Sequence, residues 1–300
     1  MSGAARDIRR ALAGIAMAVL ATLFFALTDS ASKFVALAAV PALMALWVRY
    51  IIQALATTLV VVPLGGWAVM RTRRPLFHLL RGLLLITSSM LVFFSLKFMP
   101  VGEFTAIMLT TPLVITLVAG VFLREQVSPL RWLLVAGGFV GTLVIIRPTG
   151  EAFSPALLLP LAHVAANCVF QILTSRMART ENPLTLNFYT AWVGALAVTP
   201  LLPLVWQAQV PALLWAVMAA MGVFGAIGHF LLIVAYQRAP VATLTPYLYA
   251  QIGFAMLCGW LVFAHVPDGW AVLGMALIAA CGVAGAWLTL AEHRQAARAA

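Results

Sequence analysis

Residues Arg81–Thr105, RGLLLITSSMLVFFSLKFMPVGEFT, return at Met221–Thr245 as MGVFGAIGHFLLIVAYQRAPVATLT. At this offset of 140 residues Gly82 meets Gly222, Leu91 meets Leu231, Pro100-Val101 meets Pro240-Val241 and Thr105 meets Thr245. A second register, offset by 146, sets FFALT at Phe24 against FQILT at Phe170. The chain is thus read as two copies of one unit, and the number of membrane crossings in each unit decides how the copies are related.

The surroundings of the repeat are apolar. Of 300 residues 64% are hydrophobic and 9% charged, with mean hydropathy +1.06, against about 45–50% and 25% in soluble domains. Apolar runs continue for about 18–24 residues, long enough for helices to span a bilayer and unlike the alternating strands of about ten residues in a barrel. The net charge of +10 sits in short connections between these runs, so it is read as membrane topology and not as a nucleic-acid surface. Cys168, Cys258 and Cys281 lie within apolar runs without a C-x-x-C pair, which indicates neither disulfides nor a metal site, and no cofactor is expected. The basic start, MSGAARDIRRALAGIAMAVLATLFFAL, is read as a retained first span.

Ten spans are predicted near 11–33, 41–62, 76–97, 101–123, 129–147, 154–177, 183–205, 211–237, 241–264 and 269–291, with Pro41, Pro75, Pro129, Pro183, Pro211 and Pro240 at boundaries. An N-terminus inside leaves only Lys33, Arg49, Lys97 and Arg147 of the 18 Lys and Arg residues outside or embedded. Both termini are therefore expected in the cytoplasm of a cell with a bacterial-type inner membrane. Five spans per half is an odd number, so the halves enter the membrane from opposite sides. The expected fold is an all-α integral membrane protein, one transmembrane domain over 1–300, with repeats over about 11–147 and 154–291 around a central cavity. It is expected as a monomer whose partners are the lipid bilayer and a small molecule.

The first half carries SLKFMPVGEFTAIMLTTPLVITLVAGVFLREQVSPLRWLLVAGGFVGTLVII, Ser95–Ile146. This resembles the EamA-type exporters of the drug/metabolite transporter superfamily, with Pro100, the midspan Pro112, Gly120, Glu125 and then Gly137, Gly138 and Gly141. The second half departs from the pattern with Ile252 at the place of the midspan proline and His265 near that of Glu125. The resemblance covers essentially the whole chain, and within the superfamily the chain looks most like YddG-type exporters of aromatic and other amino acids. It implies ten helices, alternating access and export of such substrates.

Candidate binding residues follow from helical spacing. His163, Asn167 and Gln171 stand at i, i+4 and i+8, a polar stripe on one face of an apolar helix. Such a stripe either lines a water-filled cavity or glues helices together, and lining is favoured because three groups over about 12 Å of rise need a continuous polar surface to meet. Tyr247 and Gln251 share a face in the ninth span. The third and eighth spans bring Ser89, Phe93, Phe94 and His229 to midspan, where the bland reading is core or lipid contact for the rings and a satisfied buried imidazole for His229. Pro112 with Thr110 and Thr111 predicts a kink or hinge. Arg49 is read at the outer mouth, Asp29 and Lys33 as an intrahelical i, i+4 ion pair, and Glu103 at the head of the fourth span.

No fixed cation is expected near the bilayer centre, which argues against nucleotide sugars and sugar phosphates. Neutral donors with aromatic faces suit small zwitterions, above all amino acids or related metabolites. Within transporters, the alternative is an exporter of drugs or larger amphiphiles. An intramembrane hydrolase would need Ser88 or Ser89 with His163 or His229, yet the sequence carries no G-x-S-x-G, no H-E-x-x-H and no paired midspan aspartates.

Overall fold

The computed structural model describes residues 3–65, 70–98, 107–108, 110–122, 127–146, 158–264, 266 and 268–299. Its helices are α1 (Gly3–Leu37), α2 (Ala42–Gly65), α3 (Pro75–Phe98), α4 (Thr111–Phe122), α5 (Pro129–Ile146), α6 (Leu158–Ala178), α7 (Pro183–Val198), α8 (Ala212–Arg238), α9 (Val241–Leu248), α10 (Ala250–Phe263) and α11 (Gly269–Ala299). A 3-10 turn, Thr199–Leu204, prolongs α7, and no strand occurs among the described residues. Pro75, Pro129 and Pro183 occupy first helical positions, where a missing N–H costs nothing, and Asn182 caps α7 by accepting from the Leu184 amide at 2.9 Å.

The most extensive crossing is α1 against α8, and exchanging the halves turns it into α3 against α6. The same exchange relates α2 on α8 to α7 on α3, while α2 on α7 and α5 on α11 straddle the join. This is the two-repeat membrane fold. Lipid tails are as apolar as leucine, so close contact, not hydrophobic burial, holds such helices together. The α1–α8 seam accordingly buries Ala18, Ala21, Ala26, Ala226, Ala235 and Ala239, whereas Leu79, Leu83, Leu257, Val283 and Trp287 stand exposed on outer faces. The aligned glycines explain part of the repeat. A Cβ on Gly222 would lie 2.6 Å from the Arg49 carbonyl oxygen on α2, and one on Gly82 would overlap Val193 on α7.

Polar ties gather at the bundle end where α1 begins and α8 ends. Arg10 donates to the Gln237 carbonyl at 2.8 Å, Arg131 pairs with Glu292 at 2.6 Å, His78 lies 3.8 Å from Glu181, and Tyr189 donates to the Met70 carbonyl. The opposite end carries Trp47, Trp206 and Trp215 in mutual contact.

Several sequence expectations need correction. The tenth span continues helically to Ala299, beyond 291. The ninth is interrupted at Tyr249, which keeps right-handed helical dihedrals while the Ile252 amide reaches back to its carbonyl in a tightened turn. The fourth span turns at Thr110, whose amide reaches back to Ile107, before α4 begins, so the two halves break at matching depth. Asp29 and Lys33 form no ion pair. Gln251 donates to Asp29 at 2.8 Å, and the Lys33 ammonium lies 4.6 Å from the Phe263 ring centre. Arg81 does not sit at the helix mouth with the loop charges, but is fully buried inside α3. The Phe93 and Lys97 side chains, Glu103, Glu125 and His265 lie outside the described residues.

Candidate functional site

The stripe on α6 is divided among its neighbours. His163 Nδ1 lies 2.9 Å from Ser88 Oγ and 3.1 Å from the Ser88 carbonyl oxygen on α3. Donation from Nδ1 to the carbonyl and acceptance at Nδ1 from the hydroxyl belong to different tautomers of the ring. Two turns further on, Gln171 Oε1 accepts from Tyr236 of α8 at 2.8 Å. Asn167 between them is partly exposed and has no hydrogen-bond partner among the described residues. The stripe thus reaches α3 at one end and α8 at the other.

The imidazole of His229 on α8 lies between two phenyl rings, 5.0 Å from Phe25 of α1 and 5.8 Å from Phe170 of α6. Phe170 in turn carries the Arg81 guanidinium 4.9 Å from its centroid. Arg81 donates to Thr174, to the Leu186 carbonyl and to Thr190, tying α3 to α6 and α7. Both nitrogens of His229 are buried without a hydrogen-bond partner among the described residues. One turn earlier on α8, Gly225 leaves room for Gln53 and Arg49 of α2, since a Cβ there would lie 3.2 Å from Gln53 Oε1 and 3.5 Å from Arg49 Nε. Gly225 is at the middle of α8, so the Arg49 guanidinium reaches mid-depth and not the outer mouth.

The remaining candidates separate. Ser89 shares a 3.0 Å hydrogen bond with Tyr50 of α2 and donates to its own Leu85 carbonyl. Phe94 is 49% exposed, on the stripe of α3 that also exposes Leu76, Leu80 and Leu83, away from the rings around His229. Gln251 is held by Asp29, and Tyr247 is buried against Gly285, so the break at Tyr249 sends this pair to different neighbours. Tyr247 also lines a cavity of about 630 Å³ among α1, α9, α10 and α11 that is otherwise apolar, with Ile15, Val19, Phe254, Leu257 and Met275. Beside the break in the fourth span, Thr110 bonds the Ile107 carbonyl, Pro112 is buried, and the buried Thr111 hydroxyl is unpartnered among the described residues. Among the described residues no three His, Cys, Asp or Glu side chains cluster as metal ligands.

The sequence reading missed Gln53, Phe25, Phe170 and Tyr236. The signal for Gln53 was present: Arg49, Gln53 and Thr57 repeat the i, i+4, i+8 spacing of the stripe on α6. Tyr236 and the phenyl rings look like ordinary core residues until the helices are packed.

Two oppositely inserted repeats, each with a broken span, and polar side chains from both halves converging between helices define a secondary membrane transporter. The sequence carries the EamA-like transporter family pattern twice, over residues 12–147 and 155–290, and the protein belongs to that family. It is 28% identical over 273 residues to a riboflavin transporter of Vibrio cholerae, covering 89% of this chain and 90% of that one. It is 28% identical over 214 residues to an S-adenosylmethionine uptake transporter of Rickettsia bellii, covering 71% and 73%. A crystal structure shares the fold with a TM-score of 0.76 over 96% of this chain and 98% of the other, at 21% identity. The chain is a multi-pass transporter of a small molecule and not a hydrolase. These relatives bear the names of riboflavin and S-adenosylmethionine, not of aromatic amino acids.

Proposed function

We propose that the protein is a carrier for small metabolites that combine a flat aromatic or heteroaromatic ring with hydrogen-bonding groups. The observation that carries this reading is the buried, unpartnered imidazole of His229 between Phe25 of one half and Phe170 of the other. A ring entering between the halves would meet aromatic faces, while Asn167 and Gln53 offer neutral donors and acceptors. Riboflavin and S-adenosylmethionine both contain nitrogen heterocycles, and aromatic amino acids fall in the same chemical class. The motif resemblance to YddG-type exporters points to the amino acids, whereas the named relatives point to riboflavin and S-adenosylmethionine. A second reading, export of a larger amphiphile, draws support from the apolar cavity beside Tyr247.

Purified protein in liposomes, assayed for counterflow of labelled tryptophan, riboflavin, S-adenosylmethionine and tetraphenylphosphonium, tests the choice. Exchange of one or more of the first three, but not the last, is expected. Exchange of tetraphenylphosphonium alone would overturn the reading.

Movement down the substrate gradient without an obligatory proton partner is expected if Asp29, which Gln251 holds at 2.8 Å near Arg49, keeps one protonation state through the cycle. Efflux should persist when the pH gradient is collapsed, and its loss would refute this. The charged end of the bundle is assigned to the cytoplasm on loop charge. Single cysteines introduced at residues 71–74 and at the C-terminus should then react only with membrane-permeant maleimide in intact cells, and reaction with an impermeant reagent would invert the assignment.

A further inference from the structure

We propose that Arg49, Gln53 and His229 form a subsite for an anionic oxygen group, most simply the carboxylate of the transported molecule. This rests on the carrier reading above and narrows its substrate class to ring compounds that bear a carboxylate.

Four polar atoms point to a missing ligand. Gln53 is fully buried, and both its amide nitrogen and its amide oxygen lack a partner among the described residues. His229 is 6% exposed with both ring nitrogens in the same condition. Arg49 Nε adds a fifth. Within a membrane span, water is not at hand to satisfy such groups, and each unpaired one is costly. The ion pairs among the described residues, His78–Glu181 and Arg131–Glu292, both lie at the far end of the bundle, and Asp29, which Gln251 holds, acts on Arg49 electrostatically but not in direct contact, so the guanidinium forms no ion pair within 4 Å among them and its N–H groups stay open to a ligand.

The donors match a carboxylate. A guanidinium offers paired N–H groups in a fork that fits two carboxylate oxygens, and the Gln53 amide and an imidazole N–H add single donors from the side. The positions also match an aromatic acid. Gly225, which faces Arg49 and Gln53, and His229, which faces Phe25 and Phe170, stand four residues apart on α8. That is about 6 Å along the axis, comparable with the separation of carboxylate and ring in an aromatic amino acid.

The test compares tryptophan with tryptophanamide, and both with riboflavin, in counterflow and in ligand-induced thermal stabilisation in detergent. Wild-type protein should prefer tryptophan to its amide by at least tenfold. Arg49→Gln should abolish that preference by weakening the acid and leaving the amide unchanged. Arg49→Lys should retain part of it. Gly225→Ala, which crowds the subsite without touching its charge, should weaken tryptophan and spare the melting temperature of the empty protein. Should Arg49→Gln fail to fold, the acid-to-amide ratio in the wild type still decides. Equal handling of tryptophan and its amide overturns the subsite, as does riboflavin exchange that falls in Arg49→Gln as far as tryptophan exchange does. Competition by chloride alone, with no preference for the acid, would mark an inorganic-anion site and also overturn it. Riboflavin exchange without carboxylate selectivity leaves the carrier reading standing, whereas exchange of tetraphenylphosphonium alone removes both.

Discussion

Arg81 and Arg49 are two guanidinium groups held within the helical bundle, and the protein treats them in opposite ways. Arg81 lies in the α3–α6–α7 crossing, where Thr174, the Leu186 carbonyl and Thr190 accept from it and Phe170 covers its face. Arg49 lies in the α2–α8 crossing against Gly225, with no acceptor among the described residues. The two crossings are counterparts under exchange of the halves. Arg81 gives its Nε and Nη1 donors to three fixed acceptors and so fastens helices, with Nη2 left unpartnered, whereas Arg49 has no acceptor among the described residues and is arranged for something that arrives and leaves. The difference turns a catalogue of intramembrane polar residues into two lists, one for stability and one for transport.

Replacing each arginine with methionine should separate the lists most widely. Hydrogen bonds to charged groups contribute about 1.5–3 kcal/mol each, so Arg81→Met should cost about 3 kcal/mol or more and sharply reduce the folded protein recovered in detergent. Arg49→Met removes no bond of the empty protein and should change the melting temperature little while abolishing exchange of carboxylate substrates. Similar melting losses in both variants would erase the distinction.

The glycines sharpen the same comparison at smaller amplitude. Overpacking a tight contact costs about 1–3 kcal/mol. Gly222→Ala should sit at the upper end, since its Cβ would press on the Arg49 carbonyl, which moves only if α2 moves. Gly82→Ala should cost less, because the Val193 side chain can turn away. Thermal melting of the two variants checks the order, and the reverse order would mean that α3–α7 is the less yielding contact.

Much of this arrangement was legible in the sequence, and what was not has a physical cause. The repeat, the helical class and the stripe on α6 follow from apolar run length and from spacing, which are properties of one segment at a time. Partners are not: nothing near His163 names Ser88, 75 residues away, or near Gln171 names Tyr236, 65 away. The place of Arg49 towards the outer end of its span locates its Cα but not a guanidinium at the end of a long stem. Arg81 was counted among the loop charges although Pro75 starts the helix six residues before it. The interruption at Tyr249 has no signal in the sequence, since the residue there keeps helical dihedrals.

The smallest effects are expected within the stripe, where one helix face contains both kinds of residue. Gln171→Leu takes the acceptor from the Tyr236 hydroxyl, an interhelical bond of a class worth about 0.6–1.7 kcal/mol in membranes. A modest fall in melting temperature should follow. Asn167→Leu takes nothing from the empty protein, because the amide has no partner among the described residues. Its melting temperature should hold or rise slightly, and its effect should appear in the relative rates for tryptophan, riboflavin and S-adenosylmethionine. The pair thus reproduces, one helical turn apart, the contrast between Arg81 and Arg49. Equal melting losses in both variants, with unchanged relative rates in Asn167→Leu, would make the whole stripe helix-to-helix adhesive and leave substrate contact to α2 and α8.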